Sequence, residues 1–235
     1  EIEFTYFDLR NYGKNEKELA LLFKLFSPEH LLKKPFANDS NSLNRPFYNE
    51  LLHIIGLEEV KEGSKKVIRR KDEKTRENGS LLENTISKLA TKDALNHINA
   101  GKYGSDKNEQ MFNIALELNI TWINRLLFLK LLEAQLINYN KGDKNYKFLD
   151  SAIINEFDIL HELFHDVLAQ KPENRSGDIL KQFSGIPYLN SSLFELSDLE
   201  RKAIDISGLK DRHKITYFSA TVLTDEQKKK RKGEV

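Results

Sequence analysis

The sequence predicts a mainly α fold, an irregular helical bundle around one central buried helix, with a few short peripheral strands. Three observations support this fold class. The segment from Phe112 to Ile137 carries apolar residues on almost every helical face, whereas a surface helix buries only one apolar stripe. Shorter segments with helical spacing lie on both sides of it. With 235 residues and 39 % hydrophobic content, the chain has enough apolar material for a sizeable core.

The elements that precede the central helix are short. Residues 2–7 alternate apolar and polar side chains, which predicts a short strand or an extended arm. Residues 15–26 have helical spacing, and a proline-led helix after them completes a predicted helical hairpin. Pro46 stands in the first turn of a helix that ends near Gly56. We interpret the polar stretch from Gly63 to Gly79 as a small β-hairpin.

Three helix starts carry a capping residue followed three positions later by glutamate. This spacing lets the two side chains bind free N–H groups of the first turn reciprocally. The pairs are Ser80 with Glu83, Asp106 with Glu109, and Ser197 with Glu200. They predict a helix over residues 81–98, the start of the central helix, and a short helix after residue 197.

The chain after the central helix predicts one more long helix and one strand. Asp150 or Ser151 begins the helix, which continues to Ala169 and ends before Pro172. Residues 214–223 are rich in β-branched and aromatic side chains, which favours a strand. The basic run KKKRK near the C-terminus is either a last helical turn or a frayed tail.

Composition narrows the possible classes of protein. The 37 basic and 36 acidic residues nearly cancel, so nucleic-acid binding would have to come from local clusters. The chain has no cysteine, which excludes disulfides and thiolate metal sites and favours the cytoplasm. Polar residues inside the central helix, among them Arg125 and Glu133, argue against a membrane span. Neither a Gly-rich phosphate loop nor a nucleophile elbow occurs in the sequence.

One motif has the spacing of a catalytic metal site. His161, Glu162 and His165 match the H-E-x-x-H pattern of zinc peptidases, in which two imidazoles hold the metal and the glutamate activates water. The pattern needs a third ligand, and Glu195 or Glu200 could supply it only in a gluzincin-like arrangement. A half-buried structural helix explains the same residues, because the apolar side chains of this segment form one helical stripe.

The densest basic run inside the chain lies between residues 61 and 76. Lysine and arginine side chains on a hairpin can bind DNA phosphates without reading the base sequence. The candidates for contact with the DNA backbone are Lys65, Lys66, Arg69, Arg70 and Lys71. Acidic residues interrupt the run, so a solvated loop is the alternative interpretation.

Several segments carry a resemblance to a known family. Three of them read TWINRLLFLKLLEAQLINYN, LHELFHDVLAQKPENRSGD and FSGIPYLNSSLFEL. In wording, order and spacing they resemble the helical region of single-chain type IIG restriction-modification enzymes. The segment RPFYNELLHIIGLEE, from Arg45 to Glu59, also resembles the connector of that family. The resemblance spans residues 45–223, is strongest from Trp122 to Phe194, and contains no catalytic motif.

The resemblance implies a division into three regions. Residues 1–44 form an N-terminal arm and helical hairpin that continue a missing upstream domain, and residues 45–223 form a helical connector domain. Residues 224–235 form a basic tail that leads to a missing methyltransferase domain. No catalytic residue is implied within the chain, and no cofactor is expected to bind it. The parent enzyme would use Mg²⁺ and S-adenosylmethionine, with double-stranded DNA as its partner.

Three hypotheses about function remain open from the sequence. The first is a non-catalytic connector that spaces a nuclease domain and an adenine methyltransferase domain and contacts the DNA backbone. The second is a zinc metallopeptidase that uses His161, Glu162 and His165. The third is a helical interaction module with no role in nucleic-acid binding. The family typically has an aromatic or acidic residue at the position of His165, so the resemblance makes the zinc pattern accidental.

Overall fold

The computed structural model describes Leu22, Phe23, Phe26, Ser27 and residues 44–183, 185–225 and 227–235. The strand and the helical hairpin expected before residue 44 therefore lie outside the described residues, except for Leu22 and Phe23, which are helical. The chain divides into two compact units, Glu1–Tyr48 and Asn49–Val235. All the candidate sites described below lie in the second unit.

Residues 44–235 are mainly helical, which confirms the predicted fold class. The elements in chain order are α1 (Arg45–Ile55), β1 (Leu57–Glu62), β2 (Lys65–Arg70), α2 (Leu81–Thr91), α3 (Lys107–Tyr139), α4 (Phe157–His161), a π-helical segment (Glu162–Leu168), α5 (Gly177–Gln182) and α6 (Asp198–Lys202). Short 3₁₀ turns connect them. The strands β1 and β2 form a two-stranded antiparallel sheet.

The predicted central helix is α3, which has 33 residues and is about 50 Å long at 1.5 Å per residue. Asp106 caps it, because its carboxylate accepts hydrogen bonds from the N–H groups of Asn108 and Glu109 at 2.8 and 3.0 Å. Ile114, Leu118 and Trp122 are buried on one face of α3. The helix α2 packs against this half of α3, so α3 forms the centre of the fold.

Neighbours do not surround the whole circumference of α3, so that expectation is wrong. Five of its large hydrophobic side chains are exposed, including Tyr139 at its end, and Leu131 has 68 % of its surface accessible. We call the four besides Tyr139 the apolar row; its members are Ile120, Leu127, Phe128 and Leu131. The polar residues Arg125 and Glu133 are buried instead. Their burial is possible because both side chains are fully engaged in hydrogen bonds, as described below.

The predicted hairpin is present but begins earlier than expected. The strand β1 starts at Leu57, directly after Gly56, and its register with β2 runs from the pair Leu57 and Arg70 to the pair Glu62 and Lys65. Gly63, at φ +62°, occupies the tight connection, which glycine enters without steric cost. Residues 71–79 lie outside the sheet and form turns.

Two helix starts differ from the predicted positions. Ser80 makes no side-chain capping bond, and the Glu83 carboxylate, its expected partner, binds Arg70. The helix expected from Asp150 begins only at Phe157. Asp150 closes a turn by accepting a hydrogen bond from the Ala152 N–H at 2.9 Å. The N–H of Phe157 donates to the distant Asp211 carboxylate at 2.8 Å, which satisfies a free donor at the new helix start.

The remaining predicted boundaries have mixed outcomes. The reciprocal cap of Ser197 and Glu200 is confirmed, with bonds of 3.2 and 2.8 Å. The helix α2 ends at Thr91 rather than residue 98, and Asp93 follows in the left-handed region at φ +50°. No helix in the described part of the chain combines the length and apolar character needed to cross a membrane.

The C-terminal segment folds back on the chain, so the predicted helical turn or frayed tail is wrong. Ile215 and Val235 exchange two backbone hydrogen bonds of 3.0 and 2.8 Å, and the Tyr217 N–H donates to the Gly233 carbonyl at 2.9 Å. The predicted strand over residues 214–223 is reduced to one isolated β-bridge, between Thr216 and Glu234. Lys228, at φ +61°, lies in the turn that reverses the chain.

Candidate functional site

Two exposed basic residues of the β1–β2 hairpin, Lys66 and Arg69, are paired with acidic neighbours. The Lys66 ammonium donates to Glu59 at 2.6 Å, across the two strands. Arg69 donates to Glu58 at 3.0 Å and lies 3.3 Å from Asp72. Hydrogen bonding to Glu58 and the charge of Asp72 raise the pKa of the exposed Arg69 guanidinium. These positive charges are therefore largely compensated within the hairpin.

The other candidates for DNA contact divide into two half-buried anchors and one exposed side chain. Arg70 makes a bidentate pair with Glu83, with hydrogen bonds of 2.7 and 2.6 Å, which fixes the hairpin to α2. The Lys71 ammonium lies 2.9 Å from His53 Nδ1, and burial lowers the pKa of Lys71. Lys65 is exposed beside the turn. Contact between these five residues and DNA remains a prediction.

A buried polar cluster connects α3 to α6, and Glu200 is its centre. The carboxylate of Glu200 accepts hydrogen bonds from Trp122 Nε1 at 2.8 Å and from the Ser197 N–H at 2.8 Å. Two further bonds come from the Arg125 guanidinium, at 2.5 and 2.9 Å. Burial alone would raise the pKa of Glu200, but these bonds and the Arg125 charge outweigh burial and lower it. Glu200 is therefore held as a carboxylate.

Arg125 extends this cluster to the segment before α6. Its Nε donates to the Leu193 carbonyl at 2.6 Å, and one terminal nitrogen donates to the Glu195 carbonyl at 2.8 Å. The guanidinium also lies over the Phe164 ring, 5.6 Å from the centroid. Three parts of the chain that are distant in sequence, namely α3, the π-helical segment and residues 193–200, therefore meet at one side chain.

A second buried carboxylate fixes the C-terminal half of α3. Glu133 accepts hydrogen bonds from the N–H groups of Phe148 and Leu149 at 2.8 and 2.6 Å, and from the Lys130 ammonium. Burial opposes ionisation, but the Lys130 hydrogen bond and the backbone donors outweigh it, so the pKa of Glu133 is lowered. The connection after α3 is thereby attached to the helix.

The histidine motif lies where α4 continues into the π-helical segment. In that segment the N–H of Ala169 bonds the carbonyl of Phe164, five residues earlier, at 3.3 Å. The rings of His161 and His165 are 4.7 Å apart in an edge arrangement. Single π turns within helices are rare and frequently occur at functional sites.

The two imidazoles have different protonation tendencies. His165 Nδ1 lies 2.7 Å from the Phe194 carbonyl; because a carbonyl only accepts, Nδ1 carries the proton and Nε2 the lone pair. Burial lowers the pKa of His165. Asp205, whose Oδ1 is 3.5 Å from His161 Nδ1, raises the pKa of His161. In return, His161 lowers the pKa of Asp205.

Metal binding by this motif would need a third protein ligand. Glu200, one of the two acids that sequence reasoning considered, already uses its carboxylate for Trp122, Arg125 and the Ser197 N–H. Within the described residues, no group of three or more His, Cys, Asp or Glu side chains is arranged to hold a metal ion. The zinc hypothesis therefore gains no ligand from Glu200.

Comparison with known proteins gives a family for most of the chain. The family model described as Domain of unknown function (DUF7814) matches residues 40–235. The chain belongs to the DUF7814 family. A second model, described as Domain of unknown function (DUF7149), matches residues 1–39. Neither a curated protein nor a solved structure matches the chain.

The DUF7814 range contains every helix and strand named above, together with both buried carboxylates and the histidine pair. Sequence reasoning missed the buried roles of Arg125 and Glu133 in this range. Helical spacing could have indicated the burial of Arg125, because this residue lies three positions after Trp122 and four before Leu129, on the same helical face. The partner of Arg125, 75 residues away at Glu200, leaves no local signal.

Proposed function

We propose that this chain is a non-catalytic helical connector of a type II restriction-modification enzyme, which holds a nuclease domain and an adenine methyltransferase domain at a fixed spacing. The observation that carries the proposal is the double attachment of α3. Arg125 and Glu133, about 12 Å apart along the axis, each tie this helix to a later segment through buried hydrogen bonds. A long helix attached in this way resists bending and rotation.

The resemblance of residues 45–223 to the helical region of type IIG enzymes supplies the identity of the attached domains. In that parent enzyme Mg²⁺ would serve DNA cleavage, and S-adenosylmethionine would serve methyl transfer. The partner would be double-stranded DNA, and the compartment would be the cytoplasm. The contribution of this chain is mechanical, because a spacer sets the distance between the recognised sequence and the cleaved bond.

The test uses the complete polypeptide encoded by the gene that contains this chain. Glu200→Gln should broaden the positions of DNA cleavage, mapped by sequencing the cut ends, while adenine methylation persists. Asp198→Asn is the matched control, because it makes the same chemical change at an exposed position of α6. Circular dichroism at the assay temperature verifies that the variants are folded. A polypeptide that neither cuts nor methylates DNA would contradict the proposal.

One observation favours a second candidate function, a helical interaction module. The apolar row leaves several large hydrophobic side chains in solvent on a single face of α3, and contiguous exposed apolar surface often marks an interface. Leu131→Lys should then weaken association with a partner without lowering the thermal stability of the chain. An unchanged partner affinity, measured by calorimetry with a partner recovered by crosslinking, would exclude this face.

A further inference from the structure

Five cations near the C-terminus lie on an ordered segment. We call Lys228, Lys229, Lys230, Arg231 and Lys232 the cationic loop. Backbone hydrogen bonds hold it on both sides, from the Asp225 N–H to the Lys229 carbonyl at 2.8 Å and from the Arg231 N–H to the Leu223 carbonyl at 3.0 Å. The charges are therefore presented on a fixed backbone, which lowers the entropic cost of binding a ligand.

The cationic loop differs from the β1–β2 hairpin in its charge compensation. Among the described residues, no carboxylate forms an ion pair with any of the five cations, whereas Lys66 and Arg69 of the hairpin are both paired. Asp225 lies nearby, but its carboxylate accepts the N–H groups of Gln227 and Lys229 at 2.9 Å each. The loop therefore retains a local excess of positive charge.

The cationic loop borders an open groove of about 960 Å³. Arg231 is turned toward the chain, where it donates to the Thr224 carbonyl at 3.1 Å and to the Tyr217 hydroxyl at 3.3 Å. The side chains of Lys229, Lys230 and Lys232 line the groove and are exposed. Two exposed acids, Asp225 and Glu234, line it as well.

We propose that the cationic loop binds the phosphate backbone of duplex DNA. Lysine and arginine bind phosphates without sequence preference, and each contact releases counterions, so the affinity falls as salt rises. Exposed cations that border one groove, without ion pairs to described carboxylates, can each contact a phosphate of the DNA backbone. This inference rests on the proposed function, and it assigns the DNA contact to the C-terminal loop instead of the hairpin residues that the sequence favoured.

The experiment measures binding of the whole chain to a fluorescent 20-base-pair duplex by anisotropy, between 50 and 200 mM salt, conditions in which phosphate contacts change affinity strongly. The triple variant Lys229→Gln, Lys230→Gln, Lys232→Gln should bind at least about tenfold more weakly at 50 mM salt. The negative slope of log affinity against log salt should become less steep by about 2.7, which is about 0.9 for each lost phosphate contact.

Two controls separate position from total charge. The triple variant Lys61→Gln, Lys65→Gln, Lys66→Gln removes the same charge from the hairpin and should change the affinity less than about threefold. Glu234→Gln removes one of the two acids that line the groove and should strengthen binding. All of these positions are exposed, so the fold should persist, and circular dichroism checks this.

Several outcomes would overturn the inference. Equal weakening by the two triple variants would indicate a diffuse charge effect, and absence of duplex binding at 50 mM salt would exclude the contact. Binding to phosphatidylserine vesicles without binding to the duplex would assign the loop to lipid. The connector proposal is tested separately, because the Glu200→Gln cleavage pattern does not depend on the cationic loop.

Discussion

Replacing Glu200 by glutamine should destabilise the fold strongly. The carboxylate accepts four hydrogen bonds, two of them from the buried Arg125. Glutamine has the same shape but presents an amide nitrogen to at least one of these donors, and it leaves the guanidinium without a counter-charge. Breaking a buried ion pair from one side costs about 3–5 kcal/mol, which is a large part of the roughly 5–15 kcal/mol that stabilises a typical domain.

Urea denaturation at pH 7 measures this loss directly. With a slope of about 3 kcal/mol per molar, the unfolding midpoint of Glu200→Gln should fall by about 1–2 M, with the slope unchanged. Asp198→Asn should stay within about 0.5 kcal/mol, as expected for an exposed position. A loss below 1 kcal/mol for Glu200→Gln would refute the reasoning, because it would mean that the Arg125 charge finds another partner or water.

Acid titration gives an independent check on the electrostatic origin of this stability. The pKa of Glu200 is lowered in the folded chain, so the folded state binds its proton less readily than the unfolded state does. The stabilisation is therefore present above the unfolded pKa of about 4.3 and is lost as pH falls toward the folded value. The Glu200→Gln variant should lose stability less steeply on acidification below pH 5 than the natural chain does.

Three further predictions concern other parts of the fold. Gly79→Ala should lower the free energy of unfolding by about 1–3 kcal/mol, since a Cβ there would lie 2.0 Å from the Lys214 carbonyl. A Cβ at Gly177 meets no atom within 4 Å, so Gly177→Ala should be neutral or stabilising in the same urea denaturation. The pKa of His161 is raised by Asp205, so its contribution to stability is complete below pH about 6.5 and lost as pH rises through the folded pKa. In NMR titration, Asp205→Asn should lower the His161 pKa, and an unchanged value would contradict the pairing. Glu133→Gln should accelerate hydrogen exchange of the Phe148 and Leu149 amides while leaving the Ser197 amide protected, and uniform acceleration would instead indicate global destabilisation.

Local signals predicted the elements that are stabilised locally. Pro46 and Gly56 bracket α1, and the bonds of the Ser197 cap span only three residues, so both could be read from the sequence. The start of α4 could not, because the acceptor for its first N–H is Asp211, 54 residues away. The partner of the Glu83 carboxylate could not be read from the sequence either, since it is Arg70 on the hairpin.

The faces of α3 show the same limit. Apolar periodicity predicted a long central helix correctly, but it placed the leucines inside and did not predict the burial of Arg125. The structure exposes Leu131 and buries Arg125, because Glu200 and two distant carbonyls make burial of the guanidinium favourable. The candidate DNA residues were likewise predicted from the density of basic residues in the sequence. Which of these positive charges are free to bind DNA depends on their ion pairs with acidic residues, such as that of Lys66 with Glu59.

The position of Glu200 in the chain also constrains how the protein is made. Arg125 leaves the ribosome 75 residues before its counter-charge, which corresponds to about 4–15 s at typical rates of bacterial and eukaryotic synthesis. During that interval the middle of α3 has no ionic partner from this cluster, and the helix cannot reach its final packing. Closure of the domain core consequently waits for the synthesis of α6, and a nascent chain stalled before α6 should remain sensitive to proteases.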